Sequence, residues 1–358
     1  MYLGLRGFIA KRLVYSFILI LLVIVVNFLI FKLMPGDPTE FLMQGYERGR
    51  GREELLQQEA TLRELWGFND PLPLQLAKYI RNLLSFNFGT AIIDKRPVVD
   101  VMVEKMPYTI LLLGGSTLVS IIVGVLLGIL AIQRRGGSFD TFSVLGSLIT
   151  GALPTFWMGM VFLFIFYTTL GWFPNAGAFP REWAGGHTPV PFFLTSSLQS
   201  SALSIQFGVV FQDVVNLIGG YLKHLFLPLL TLVLFNFGGW LLLTRATMIE
   251  TITEDYILTA RAKGVGETAI LLKHALKNAS LPIITSASLA FGFILSGAII
   301  TETVYTYPGI GGWTFFAINT RDLIVLMAIF YVISICVIVA NIVADLLYGI
   351  LDPRIKYG

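Results

Sequence analysis

The sequence predicts an all-α protein that crosses a membrane several times, and two features carry this prediction. Of its 358 residues, 55% are hydrophobic and only 13% are charged, which is about half the charged share of an ordinary soluble domain. The apolar residues are also gathered into runs of about 20 or more, the length that an α-helix needs to cross a bilayer. A soluble globular domain is therefore excluded.

Six apolar runs are candidates for transmembrane helices. They cover about Leu13–Leu33, Pro107–Ile132, Phe142–Leu170, Leu225–Leu243, Leu281–Ile300 and Leu323–Leu351. The first run follows basic residues, as the apolar part of a signal peptide would. It is too long for that role and lacks a small-x-small cleavage site, so we expect an uncleaved first span.

The positions of lysine and arginine predict the orientation, because cytoplasmic loops carry an excess of these residues. Basic residues lie before span one, between spans two and three, between spans four and five, and after span six. With six spans these four segments fall on one side, so we expect both termini in the cytoplasm. We interpret Thr195–Leu222 as an external amphipathic insertion; a seventh span there would invert the loop after span four.

The predicted organisation has four parts. Residues 1–34 hold the amino terminus and the first span, and residues 35–106 form an external region with helices predicted at Arg52–Trp66 and Leu72–Leu84. Residues 107–351 form the membrane core, with an external insertion at about 171–222 and a cytoplasmic segment at about 245–280. Residues 352–358 are a cytoplasmic tail.

Small residues and prolines mark particular places within the spans. Gly124 and Gly128 form a small-xxx-small pair in span two, which is typical of close helix packing. Pro154 and Pro228 lie in spans three and four, where a proline frees a carbonyl group and permits a kink.

The fifth span is the most polar of the six, and a span of that kind usually faces protein or water rather than lipid. We therefore predict that it lines a pathway, and the candidate lining residues are Ser286, Ser288, Gly292 and Ser296. The alternative is ordinary helix packing, with each serine hydroxyl bonded to its own backbone.

The segment Thr253–Glu267 predicts a short, charged helix between spans four and five. Thr251 and Glu254 have the spacing of a capping box, and Gly264 can adopt the left-handed conformation that ends a helix. Its predicted face ends in small residues, so another surface could approach closely; the face comprises Tyr256, Ile257, Ala260 and Gly264. Two interpretations stay open: a loop helix at the membrane surface, or a docking helix for a soluble partner.

Catalytic and metal chemistry find no support in the sequence. The phosphate-binding motif Gly-x-x-x-x-Gly-Lys-[Ser/Thr] does not occur, so this chain does not hydrolyse nucleotide by a P-loop. The three histidines lack neighbours at ligand spacing, the single cysteine forms no disulfide within the chain, and a net charge of +3 implies nothing about nucleic acid. We therefore expect no catalytic residue, cofactor, metal or nucleic-acid partner, and a conduit whose energy comes from elsewhere.

A set of motifs then occurs in an order that resembles the permease subunits of ATP-binding-cassette (ABC) importers, in the oligopeptide/dipeptide/nickel branch. The resemblance runs nearly from end to end. It rests on Met34–Pro38, Gly67–Gln75, Asn87–Gly89, Leu153–Trp157, Leu170–Pro174, Glu254–Gly264, Lys273–Asn278 with Leu281-Pro282, Glu302–Gly311 and Asp352–Arg354.

The resemblance implies the transmembrane domain of a type I importer, with six spans and external helical insertions. It also implies that the predicted cytoplasmic helix is a coupling helix seated in a groove of an ATPase subunit, with Ala260 and Gly264 in close approach. The implied coupling residues are Glu254, Asp255, Tyr256, Ala260, Arg261, Ala262, Lys263 and Gly264. Leu258 stands where the wider superfamily has glutamate, and the insertion at about Phe179–Tyr221 is longer than we expect.

The implied partners are a homologous second permease, as a heterodimer, two cytoplasmic ATPase subunits that hold ATP and magnesium, and an extracytoplasmic substrate-binding protein. The chain itself would lie in the plasma or inner membrane, in contact with lipid. The implied activity is import of a small peptide, with an oligosaccharide or a nickel complex as alternatives. A passive channel and an intramembrane enzyme are the rivals from other classes.

Overall fold

The computed structural model describes residues 5–33, 57, 60–61, 63–179 and 207–351. Within these residues the regular structure is helical, apart from one isolated bridge between Thr90 and Pro97. The predicted all-α class is therefore confirmed for the described part of the chain.

Thirteen α-helices have defined bounds in the described ranges, and five of them adjoin one of three π-helical turns. They are α1 (Leu5–Leu33), α2 (Leu72–Leu84), α3 (Val98–Thr109), the turn Ile110–Gly114, α4 (Gly115–Gln133), α5 (Ser138–Ala152), α6 (Thr155–Phe162), the turn Leu163–Thr169, α7 (Phe207–Thr251), α8 (Asp255–Ala262), α9 (Glu267–Ala269), the turn Ile270–Ala275, α10 (Leu276–Gly292), α11 (Ile299–Val304), α12 (Ile310–Thr320) and α13 (Leu323–Leu351).

Four helical stretches are long and apolar enough to cross a membrane, and a bent pair makes a fifth if it counts as one span. The four stretches are Lys11–Ile30, Val98–Gln133, Ile218–Thr251 and Leu323–Val343, and the pair is Ser138–Ala152 with Thr155–Thr169. The four stretches overlap the predicted spans one, two, four and six, and the bent pair overlaps span three. The chain is thus a multi-pass membrane protein.

The predicted fifth span, Leu281–Ile300, is not one continuous helix. It falls on α10, which has 17 residues, and on a short 3₁₀ turn, Ile294–Ser296. Gly297 follows with a positive φ of 77°, a conformation that interrupts any helix and favours glycine. The count of six spans is therefore not confirmed.

The third span is broken between α5 and α6, whose axes differ in direction by 97°. Both residues of the break are extended: Leu153 has φ −76° and ψ 133°, and Pro154 has φ −61° and ψ 133°. The proline ring disfavours a helical conformation for the preceding residue, so the helix ends at Ala152. Pro228, in contrast, lies inside the continuous helix α7.

The two glycines of span two allow α4 to pack closely on α7, as predicted. A Cβ atom at Gly128 would lie 2.8 Å from Cβ of Thr244 and 3.0 Å from the carbonyl oxygen of Leu241. A Cβ at Gly124 would meet the side chain of Trp240. Only a residue without a side chain fits at either position, because packed helices leave no space for an added carbon.

The segment between α1 and α4 forms an apolar core together with α1, α12 and α13. The Tyr79 ring of α2 lies 5.4 Å from the ring of Phe28 on α1. The carboxylate of Asp322, just before α13, accepts the amide of Ile92 at 2.7 Å. The predicted helix Leu72–Leu84 is confirmed as α2, whereas most of the predicted helix Arg52–Trp66 lies outside the described residues.

The predicted insertion 171–222 is described at its two ends only. Residues 180–206 lie outside the described part, and residues 207–222 form the first part of α7. That end of the insertion is thus continuous with the fourth span, because its apolar residues extend the same helix.

Candidate functional site

The candidate docking helix begins differently from the sequence prediction. The predicted capping box is wrong, because Thr251 is still part of α7 and its hydroxyl donates to the Thr247 carbonyl at 2.7 Å. Glu254 is the residue that precedes α8, with φ −72° and ψ 147°, and its side chain makes no capping hydrogen bond. A threonine hydroxyl can bond the carbonyl four residues earlier, and here that bond replaces the cap.

The other end of α8 closes as predicted, on a left-handed glycine. Gly264 has a φ of 80°. Its amide donates to the Arg261 carbonyl at 2.9 Å, and the amide of Val265 donates to the Ala260 carbonyl at 3.2 Å. These two bonds form a Schellman motif. A Cβ at Gly264 would have no neighbouring atom within 4 Å, so this end of the helix is open to a partner.

One side of α8 is buried in a cluster of apolar residues that we call the anchor cluster. Ile257 is fully buried there and Ala260 is 9% exposed. The cluster joins α8 to the ends of α4, α7 and α10; its members are Ile132, Met248, Ile257, Ala260, Ile270, Leu271, Ala275 and Ala279. Ala260, which the resemblance places in close approach to another subunit, thus packs against its own chain.

The opposite side of α8 is exposed. The other seven residues implied in coupling lie on it or beside it: Glu254, Asp255, Tyr256, Arg261, Ala262, Lys263 and Gly264. Leu258 is the most conspicuous, since 66% of this large apolar residue is exposed. The helix therefore presents a mixed charged and apolar surface.

Polar contacts also hold α8 in one orientation. Asn278 of α10 donates its side-chain amide to the Tyr256 hydroxyl at 2.7 Å. Arg261 donates twice to the carboxylate of Glu267, at 2.8 and 3.3 Å. This pairing raises the pKa of Arg261 and lowers that of Glu267. The sequence did not predict either contact, although Asn278 ends the Lys273–Asn278 motif and Glu267 ends the segment Thr253–Glu267, because their spacing from α8 matches no helical period.

A cavity of about 570 Å³ lies between the start of α4, α7 and the segment that follows α10. Its described lining contains uncharged residues only, namely aliphatic side chains, aromatic rings and a few small polar groups. They include Thr117, Thr155, Asn236, Ser296 and Thr301, and Phe235, Trp240 and Phe293. We call this space the larger cavity.

The four predicted pathway residues do not line one surface. Ser296 lines the larger cavity, while Ser288 and Gly292 line a second cavity of about 510 Å³ against α13. Ser286 is half-buried and lines neither of them. The hydroxyls of Ser288 and Ser296 donate to backbone carbonyls at 2.9 and 2.6 Å, as the packing alternative requires.

The wall of the larger cavity is held by a buried carboxylate that sequence analysis did not single out. Glu302 is fully buried and accepts the amides of Ala298 and Gly312 at 3.3 and 2.8 Å. It also accepts the hydroxyl of Thr109 at 3.1 Å. Ala298 belongs to the cavity wall and Gly312 to α12, so Glu302 joins the two. Its place at the start of the Glu302–Gly311 motif was the available signal.

Metal ligation has no candidate site among the described residues, where no group of three or more His, Cys, Asp or Glu side chains is placed to hold an ion. The arrangement can therefore present a docking surface and form an uncharged, largely apolar cavity with a few hydroxyl and amide groups in its wall.

Two family models match the chain one after the other. The model described as "Binding-prot-dependent transport system membrane comp, N-term" covers residues 5–113, and the model described as "Binding-protein-dependent transport system inner membrane component" covers residues 120–357.

Curated relatives match over almost their whole length. The chain is 31% identical over 352 residues to the oligopeptide transport system permease protein AppB of Bacillus subtilis, covering 98% of this chain and 99% of the relative. It is 33% identical to the dipeptide transport system permease protein DppB of Alkalihalophilus pseudofirmus, covering 93% and 94%. It is also 33% identical to the di/tripeptide transport system permease protein DppB of Pseudomonas aeruginosa, covering 98% and 99%.

Proposed function

The chain belongs to the family of binding-protein-dependent transport system inner membrane components, and from this membership we propose a substrate class, a docking surface and a pathway for it. It is a multi-pass permease subunit of an ABC importer, with the membrane domain of a type I importer. It is not an enzyme itself and works with ATPase and substrate-binding partners.

The proposed substrates are small peptides. The relatives' names refer to oligopeptides, dipeptides and tripeptides, which disfavours an oligosaccharide or a nickel complex. The larger cavity supports the same choice. Its hydroxyl and amide groups can hydrogen-bond a peptide backbone, and its uncharged lining makes no demand on the charge of the peptide's side chains.

The proposed docking surface is the exposed side of α8, and one observation carries it. The helix is exposed on one side while the anchor cluster joins its other side to α4, α7 and α10. A surface loop with no mechanical role needs no such attachment to three membrane helices. In this proposal Glu254, Asp255, Tyr256, Arg261, Ala262, Lys263 and Gly264 face an ATPase subunit, and Ala260 supports them from inside.

The complete transporter contains, in this proposal, a homologous second permease, two ATPase subunits that bind ATP and magnesium, and a binding protein outside the membrane. The basic residues of the loops support a cytoplasmic position for α8 and both termini. Closure of the ATPases on ATP moves α8, the attached helices move as rigid bodies, and the larger cavity changes the side on which it is open.

The substrate class is tested on the substrate-binding protein that works with this permease. Calorimetric titration with alanine peptides of two to five residues, maltotriose and a nickel–histidine complex should give tight binding of peptides alone. Uptake of a bound radiolabelled peptide into proteoliposomes that hold the whole transporter should then require ATP on the side of the membrane where the ATPase subunits lie. Binding of the sugar or the nickel complex alone, or uptake that continues without ATP, contradicts the proposal.

A further inference from the structure

Two attachments hold α5 against α7, and they lie at matching intervals. At one of them Arg245 of α7 donates from Nε and Nη2 to the two carboxylate oxygens of Asp140, at 2.7 and 3.0 Å. At the other, a Cβ on Gly238 of α7 would lie 2.7 Å from the carbonyl oxygen of Ser147, so the two backbones touch. Seven residues, or about two helical turns, separate the attachments on each helix.

The ion pair has the features of a positioned contact. The Asp140 side chain is 5% exposed, and it also accepts the amide of Gly136 at 3.0 Å. Both carboxylate oxygens are thus engaged by a planar guanidinium, a geometry that fixes orientation as well as distance. An exposed surface pair would leave the two helices free to slide, whereas this pair sets the register of α5 on α7.

The same end of α7 holds the docking helix. Met248 lies one turn beyond Arg245, is fully buried, and belongs to the anchor cluster with Ile257 of α8. A displacement of α8 therefore reaches α7 within one turn of the ion pair. Because α5 is attached to α7 at two points, it has to follow.

The break at Leu153 and Pro154 lies at the far end of α5. Beyond it, α6 is attached through Tyr305 to a different level of α7: the Tyr305 hydroxyl lies 3.4 Å from the Gly159 carbonyl of α6 and 2.9 Å from the hydroxyl of Thr231, seven residues before Gly238 on α7. Thr155, the first residue of α6, lines the larger cavity. Since α5 and α6 are attached to α7 at different levels, the extended break between them is where their relative direction can change, and this break lies next to the cavity.

We propose that Asp140 and Arg245 are positioning residues that transmit movement of the docking helix through α5 to the break beside the larger cavity. This inference rests on the proposed function, because it requires that ATP moves α8. It assigns to the pair the task of making the cavity respond to ATP, over and above holding the fold together.

The test follows the cavity directly and needs no knowledge of the substrate. Cys336 is the single cysteine of the chain, so Cys336→Ser with Thr155→Cys leaves one thiol in the cavity wall. In the assembled transporter, a membrane-impermeant maleimide should label this thiol at different rates with and without ATP plus vanadate. Arg245→Gln and Asp140→Asn should reduce that difference about fivefold or more, the range of coupling between linked sites, while ATP hydrolysis stays near the parent's rate.

Three comparisons decide the outcome. Arg245→Lys, which keeps the charge, should recover part of the difference, and Arg96→Gln, which breaks the exposed pair with Glu104 at 2.8 Å, should leave it unchanged. An undiminished difference in Arg245→Gln overturns the inference, as does loss of assembly in Asp140→Asn, which would make the pair a folding contact only. If the labelling rate of the parent protein, Cys336→Ser with Thr155→Cys, does not depend on ATP, the proposed function is overturned as well. This result is distinguishable from failure of the inference alone, in which only the Arg245 and Asp140 variants depart from expectation.

Discussion

At Gly264 the backbone conformation alone restricts the residue type within this chain. The φ of 80° is costly for a residue with a side chain, yet the space around the missing Cβ is empty. About 1–2 kcal/mol is the usual cost of a left-handed L-residue, which bends the end of α8 without unfolding the protein. Any larger effect of a substitution there must come from a partner that occupies the empty space.

The small cost within the chain and the empty space around the missing Cβ together lead to a prediction for bulky substitutions at Gly264. Gly264→Leu should abolish ATP-driven uptake while membrane insertion persists, because the side chain projects into the docking surface. Gly264→Asn, whose side chain tolerates the left-handed conformation, should also reduce uptake. Gly266 has an equally open Cβ position and a φ of −63°, so Gly266→Ala is the matched control. Uptake in proteoliposomes is the measurement, and normal uptake by Gly264→Leu contradicts a docking role.

Asp322 is the other residue whose surroundings set a measurable property. It is buried before α13, and burial raises the pKa of its carboxyl from 3.8 to about 6, although the amides of Val325 and Ile92 donate to it. Between these two pH values the folded protein holds a proton that the unfolded chain has released. The contribution of Asp322 to the free energy of unfolding therefore falls as the pH rises from about 4 to about 6, and this contribution is constant above that range.

The predicted consequence is a pH-dependent difference between the wild type and Asp322→Asn. The asparagine keeps an acceptor for the amides and loses the titration, so its melting temperature should decline less between pH 4 and pH 7. Between pH 4 and pH 7 the wild type should lose up to about 3 kcal/mol more unfolding free energy than Asp322→Asn, which corresponds to a pKa shift of about two. Thermal unfolding in detergent measures it, with the exposed Asp100→Asn as control. Parallel pH profiles for wild type and Asp322→Asn would show that burial does not set this carboxyl's titration.

At the scale of the element, α8 illustrates what periodicity can and cannot assign. The sequence located the helix, its charged character and the glycine at its end. It could not tell which side faces the chain, because small and apolar residues suit both a core and a docking surface. Ala260 is buried because the anchor cluster is completed by residues of other elements, among them Ile132 at the end of α4, 128 residues away in the sequence. Only tertiary contacts decide between such alternatives.

Two adjacent residues of α8 should therefore fail in different ways. Ile257→Ala removes a fully buried side chain and should cost about 2–5 kcal/mol, seen as a lower melting temperature of the isolated permease. Leu258→Ala removes an exposed one and should leave that temperature unchanged, while it weakens retention of the ATPase subunits during purification. Equal melting temperatures for the two variants, or equal ATPase retention, would contradict the assignment of a buried and a docking side.

At the scale of the whole molecule, hydrophobic runs predicted the class and most of the membrane crossings. They did not reveal the interruptions, because Leu153, Pro154 and Gly297 set the backbone locally inside runs that are apolar on both sides. Pro154 indicated that span three permits a kink, and the sequence did not predict the break at Gly297. The joints between distant segments were also hidden. Asp140 and Arg245 are 105 residues apart, and Glu302 and Thr109 are 193 apart; no local pattern connects such partners.

The length of α7 has a mechanical consequence for the assembled transporter. Its 45 residues, at about 1.5 Å each, extend about 68 Å along the axis, roughly twice the 30 Å thickness of the hydrocarbon layer. A helix longer than the layer is thick can act as a lever that turns within the bilayer. A tilt of about 10° around its midpoint moves each end by about 6 Å. A small rotation of α7 within the membrane therefore displaces α8, which follows its end, by about the length of one helical turn.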